Sequence, residues 1–124
     1  MEYTDKTMEH FMCPQNVGSM PDADARGAYG DPSCGDSLMM FLKVDNNTIK
    51  EIRYLVFGCC AAIASASMTS VLAKGKSLEE AETISDGDVL TALGGLPSMK
   101  IHCSNIGVSA LRSVIKKYKI QIKE

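Results

Sequence analysis

The chain has 124 residues, enough for one domain with a core of its own and too few for a second full domain. Thirteen Lys and Arg against fifteen Asp and Glu leave a net charge of -2, so the basic footprint of a nucleic-acid binder is missing. No apolar run approaches the ~20 residues of a membrane span, and the acidic start MEYTDKTMEHF has no signal-peptide pattern. The expectation is a soluble, cytoplasmic protein without nucleic-acid or membrane partners. A prokaryotic cytosol is the simplest setting, since Met1 runs directly into the domain.

Residues 3 to 12 place Tyr3, Thr7 or Met8, and Phe11 at helical spacing, and Pro14 biases Cys13 away from helix. This predicts a short amphipathic helix ending there. From Pro14 to Pro32 the run is rich in Gly, Pro, Asp and Asn, a turn composition too polar for a core element, and it reads as a loop. Leu38, Met40, Leu42 and Val44 then alternate on one face, DNNT supplies a turn, and Ile52, Tyr54 and Val56 alternate again. The pattern is a hairpin with one face toward a core, and Lys50, Glu51 and Arg53 lie beside the apolar positions.

After Gly58 the text becomes CCAAIASASMTSVLAKG, free of proline and dense in Ala and Ser, which predicts a closely packed helix with Gly75 as its stop. Ser77 with Glu80 three residues on matches a capping box, opening a second helix. Residues 86 to 94 give one more short helix. In CSNIGVSALRSVIKKYK, Val108, Leu111, Ile115 and Tyr118 form one stripe with Lys116, Lys117 and Lys119 off it, a last amphipathic helix. Repeats are absent, and the order implies an α+β layer, a small antiparallel sheet covered by helices.

Five cysteines, at 13, 34, 59, 60 and 103, are many for a reducing compartment, and their number is odd. Thiols of this kind are metal ligands, nucleophiles or buried small hydrophobes rather than a disulfide framework. Cys34 precedes the first hairpin strand, Cys59 follows the second, and Cys103 precedes the last helix. The two ends of a hairpin lie together, so Cys34 and Cys59 are expected to be neighbours. Cys59 and Cys103 stand at expected helix N-termini, where the helix dipole lowers a thiol's pKa.

Around them Asp36 offers a hard oxygen and His102 an imidazole, whereas soft sulfur sites select zinc, cuprous copper or iron-sulfur units. A carboxylate in place of a fourth thiolate gives a weaker, more exchangeable bond to a cluster iron, as suits a site built for release. Cys13 reads as a buried structural cysteine. Cys60, about 100° around the helix from Cys59, reads as core, and His10 reads as surface. His102 is evenly balanced between a satisfied core histidine and a ligand. The Met-rich LMMFL is core packing, and the basic end of the last helix a solvated face.

At these residues the chain resembles the IscU/NifU N-terminal family of iron-sulfur cluster assembly scaffolds. The likeness is carried by HFMCPQNVGSM, SCGD, FGCCAAIASAS, KGKSLEEA and LPSMKIHCS, five pieces in order at the family's intervals over nearly the whole length. It implies a single domain over residues 1–124 and an IscU/SufE-like α+β fold, a small antiparallel three-stranded sheet covered by helices. It also implies that Cys34, Asp36, Cys59, His102 and Cys103 hold a nascent [2Fe-2S] cluster, iron, or zinc at the same site. Cys103 matches the usual persulfide acceptor, and Lys100 matches a lysine near the site.

The function implied is that of a scaffold rather than an enzyme. It accepts sulfur from a cysteine desulfurase, and iron, then passes the cluster to apo iron-sulfur acceptor proteins, as a monomer or a weak homo-oligomer. The segment read by an Hsp70-type chaperone in the family is Leu-Pro-Pro-Val-Lys, and here it is Leu96, Pro97, Ser98, Met99 and Lys100. Cys60 stands where the family commonly has glycine. The rival reading is a zinc-dependent sulfurtransferase partner that relays persulfide without building a cluster. A stable electron-transfer protein fits worst, since a permanent centre calls for a fourth cysteine at cluster spacing.

Overall fold

The computed structural model describes residues 3–31 and 35–122. In chain order these form α1 (Asp5–Met12), β1 (Ala25–Asp31), β2 (Asp36–Asp45), β3 (Thr48–Phe57), α2 (Cys60–Ala73), α3 (Leu78–Glu82), α4 (Asp86–Ala92), a 3-10 helix (Ser98–Ser104) and α5 (Asn105–Ile122). The strands make one antiparallel sheet in the order β1-β2-β3. No helix among the described residues is long and apolar enough to cross a membrane.

The hairpin forms where the alternation places it. Leu38, Met40 and Leu42 of β2 and Ile52 and Tyr54 of β3 are buried on the inner face. Asn46 and Asn47 turn the chain with positive φ at both positions, the backbone of a primed two-residue turn that Asn tolerates well. The segment from Pro14 to Pro32, whose composition reads as a loop, instead contains the third strand, β1. Its side chains carry little strand signal because α5 crosses it closely: a Cβ on Gly27 would stand 3.5 Å from Val114. Burial there comes from backbone approach, which hydrophobic periodicity does not register.

Helices cover the inner face. α2 is buried on nearly all sides, and its small side chains admit close neighbours, Ala66 and Thr69 lying directly against Gly107 of α5. Val108, Leu111, Val114 and Ile115 of α5 complete the core beneath the sheet. Both short helices start on reciprocal capping boxes, Ser77 with Glu80 and Ser85 with Asp88. α1 ends at Cys13, as the sequence predicts, and its start is capped by Thr4.

The free side of β3 is covered by the chain itself. Tyr54 exchanges backbone hydrogen bonds with Asn16 and Gly18, its N–H donating to the Asn16 carbonyl (3.2 Å) and its carbonyl accepting from Gly18 (2.9 Å). Nearer the turn, Ile49 does the same with Gly75 and Lys76, each bond 2.8 Å.

Candidate metal centre

Three chain segments meet at the open end of the hairpin. Asp36 is the first residue of β2, and the Ser37–Phe57 pairing brings the start of that strand beside the end of β3. Gly58 and Cys59 follow, Cys59 being the N-cap of α2 with no side-chain hydrogen bond at the cap. Cys103 arrives from the far end of the chain, on the last turn of the 3-10 helix that runs into α5.

The two sulfurs, Cys59 Sγ and Cys103 Sγ, are 3.7 Å apart, and Cys103 Sγ is 3.9 Å from Asp36 Oδ2. One ligand atom from each residue lies within 4.8 Å of the others. A disulfide would need about 2.05 Å between the sulfurs. Two sulfurs each ~2.3 Å from one tetrahedral metal stand roughly 3.8 Å apart. The spacing therefore suits a shared metal and not a covalent bond.

The sequence-predicted residues are placed as follows. Asp36, Cys59 and Cys103 come together. His102 is exposed and stands at the margin, its Nε2 3.6 Å from Cys103 Sγ. Cys34 lies outside the described residues. Lys100 is at the site: the Cys59 thiol beside it is the first cause holding its ammonium above the usual lysine range, followed by Cys103 and Tyr3, with burial opposing and a hydrogen bond to Cys59 adding.

Four expectations change. Cys103 is not at a helix N-terminus and is only 2% exposed; burial, then Cys59, push its thiol up to about 12, with Asp36 adding and Lys100 opposing. The dipole argument fails there because Pro97 starts a 3-10 helix that carries Cys103 inside its end instead of before a new helix. Cys60 is half-buried rather than core, and burial and then Cys59 raise its thiol. Cys13 is exposed at the C-terminal cap of α1. His10 is buried, its Nδ1 2.7 Å from Ser67 Oγ on α2.

Tyr3 is the residue the sequence reading did not connect with the site. Burial, then the charges of Cys60 and Cys59, raise its phenol, which puts it beside the cysteine pair. Lying ahead of α1, it carries no local signal for that contact. A cavity of about 410 Å³, lined by Gly35, Asp36, Val56, Phe57, Gly58 and Cys59, gives access to the centre, and Phe57 is 77% exposed at its rim.

An antiparallel three-stranded sheet with this convergence of sulfur and carboxylate defines an α+β domain with a candidate metal centre. Residues 2–124 match the NifU-like N terminal domain family, and the chain belongs to it. It is 49% identical over 116 residues to the iron-sulfur cluster assembly scaffold protein IscU 1 of Archaeoglobus fulgidus, covering 94% of this chain and 76% of that protein. It is 40% identical over 123 residues to the iron-sulfur cluster assembly scaffold protein IscU of Escherichia coli, covering 96% and 95%. Among solved structures, the N-terminal part of a nitrogen-fixing NifU-like protein from Brucella abortus is similar with a TM-score of 0.78 over 95% of this chain and 94% of that one; at 14% identity the shared property is the fold.

Proposed function

We propose that this chain is an assembly scaffold for iron-sulfur clusters. It takes up sulfur and iron, holds a [2Fe-2S] cluster as cargo, and delivers it to apo acceptor proteins in the cytoplasm, with no catalytic turnover of its own. The observation that carries the reading is the meeting of Asp36, Cys59 and Cys103, from three distant segments, at sulfur–sulfur and sulfur–oxygen separations of 3.7 and 3.9 Å. Relatives at 40 and 49% identity that bear the scaffold's name support it.

The donor set suits cargo better than a permanent centre. Cys34, Cys59 and Cys103 supply thiolates, and Asp36 or His102 the remaining position, a harder and more exchangeable ligand for iron than a fourth sulfur. Lys100 places a positive charge where thiolates form. Sulfur enters when the Cys103 thiolate attacks the terminal sulfur of a donor persulfide on a cysteine desulfurase: the new S–S bond forms at Cys103, the old one breaks, and the electron pair leaves on the donor's thiolate. With Cys103 2% exposed, this exchange requires the 3-10 helix to part from Asp36 and Cys59. An Hsp70-type chaperone acting on residues 96 to 100, within and just before that helix, would promote the same opening.

Anaerobic reconstitution with iron, cysteine and a desulfurase tests the reading. The expected result is visible cluster absorbance that then moves to an apo ferredoxin, with Asp36→Ala slowing the handover several-fold. Tight zinc binding with stimulated desulfurase turnover and no cluster would replace the scaffold by a persulfide relay.

A further inference from the structure

The junction between β3 and α2 holds a glycine whose backbone gives no reason for it. Gly58 is absent from the glycines with positive φ, so no left-handed conformation demands it. What it lacks is room. A Cβ at Gly58 would stand 2.6 Å from Asp36 Oδ1, 2.9 Å from Asp36 Cγ and 3.0 Å from Ala62 Cβ.

We propose that Gly58 is the positioning residue for the Asp36 carboxylate: the space its side chain would fill is the seat from which that carboxylate faces Cys59 and Cys103. The inference rests on the reading of those three residues as a ligand set. One carboxylate oxygen, Oδ1, lies over Gly58, and the other, Oδ2, lies 3.9 Å from Cys103 Sγ. The group is thus held between the glycine and the thiol. A methyl at position 58 meets Ala62 on its other side, and Ala62 is fully buried in α2, so the helix wall does not yield.

The Ser37–Phe57 pairing fixes the backbone on the strand side. Of the crowded groups, the Asp36 carboxylate is the far end of a flexible side chain, whereas the Ala62 Cβ is fixed directly to the helix backbone. Because Cγ is crowded as well as Oδ1, turning the carboxylate plane does not relieve the clash; the whole group must leave by rotation about Cα–Cβ. Gly58→Ala therefore removes Asp36 from the centre without touching a ligand.

The test is a double-mutant cycle on the full chain, with Gly58→Ala, Asp36→Ala and both together. Co2+ titration of the metal-free protein follows the thiolate-to-cobalt charge-transfer and d–d bands. Gly58→Ala is expected to weaken Co2+ binding by about tenfold or more and to alter the d–d bands as Asp36→Ala does, with the double variant no weaker than the single ones. Unchanged affinity and bands, or losses that multiply in the double variant, overturn the proposal.

Urea denaturation of the same metal-free variants reads the steric contact independently of any metal. Gly58→Ala should lower the midpoint, or prevent folding, in the Asp36 background and do much less in the Asp36→Ala background. An equal loss in both backgrounds overturns the proposal. Failure of the wild-type chain to give thiolate charge transfer with Co2+ would instead strike the ligand-set reading, while the denaturation cycle still decides whether Gly58 seats the carboxylate.

Discussion

His10 shows how one side chain's setting sets a measurable property. Burial, then the Lys6 ammonium, push its imidazole below the ordinary value of 6.5, with Glu9 opposing, and Ser67 Oγ holds Nδ1 at 2.7 Å. The unfolded chain thus takes up a proton at a pH where the folded one does not. The neutral ring's contribution to stability is complete above 6.5 and is lost as pH falls from there through the lowered folded value. The urea midpoint is expected to drop on acidification through this window, and His10→Gln should flatten the drop. Sequence alone does not decide which edge of an eight-residue helix faces inward, so His10 reads as surface. Asp36 and Cys59 are legible because they sit at the open end of the hairpin, which brings its two ends together whatever the rest of the fold does; Cys103, inside the 3-10 helix, is carried to them by the tertiary fold.

At the scale of elements, the contact between α2 and α5 depends on missing atoms. A Cβ at Gly107 would stand 2.5 Å from Thr69 Oγ1, 2.9 Å from Thr69 Cβ and 3.3 Å from the Ala66 Cα. Gly107→Ala should destabilise the chain by about 1–3 kcal/mol, since overpacking a close-packed contact forces side chains and backbone apart; a thermal or urea melt reads the loss, and Thr69→Ala in the same chain should recover part of it. The Ala and Ser composition of residues 60 to 73 reveals this close packing in advance, and the Ser77–Glu80 pair reveals where α3 begins. β1 is not legible for the same reason that α2 is: both place backbone against a neighbour, but in a helix small residues keep a recognisable composition, whereas in a strand they look like a turn. The 3-10 helix is missed because Pro97 and Ser98 resemble an ordinary loop ahead of α5.

Over the whole molecule, the candidate centre joins residues 36, 59 and 103 and so links the start of the middle strand, the N-cap of the central helix and the approach to the last one. A metal that binds this folded arrangement and not the unfolded chain must raise global stability, by about 2.7 kcal/mol when its free concentration is a hundred times the Kd. Addition of Co2+ is expected to raise the Tm of the wild-type chain, and Cys103→Ala to remove most of that increase.

Residues 16 to 18 and 75 to 77 have a further consequence. A strand at the border of a sheet offers its amides and carbonyls to any extended peptide that drifts past, and this is a common route to fibrous self-association. Here those groups at Ile49 and Tyr54 are already engaged by local loops. A chain trimmed to begin at residue 19 should form β-rich, thioflavin-binding aggregates in proportion to its concentration, while the intact chain stays clear; equal clarity in both would show that the N-terminal strap guards nothing.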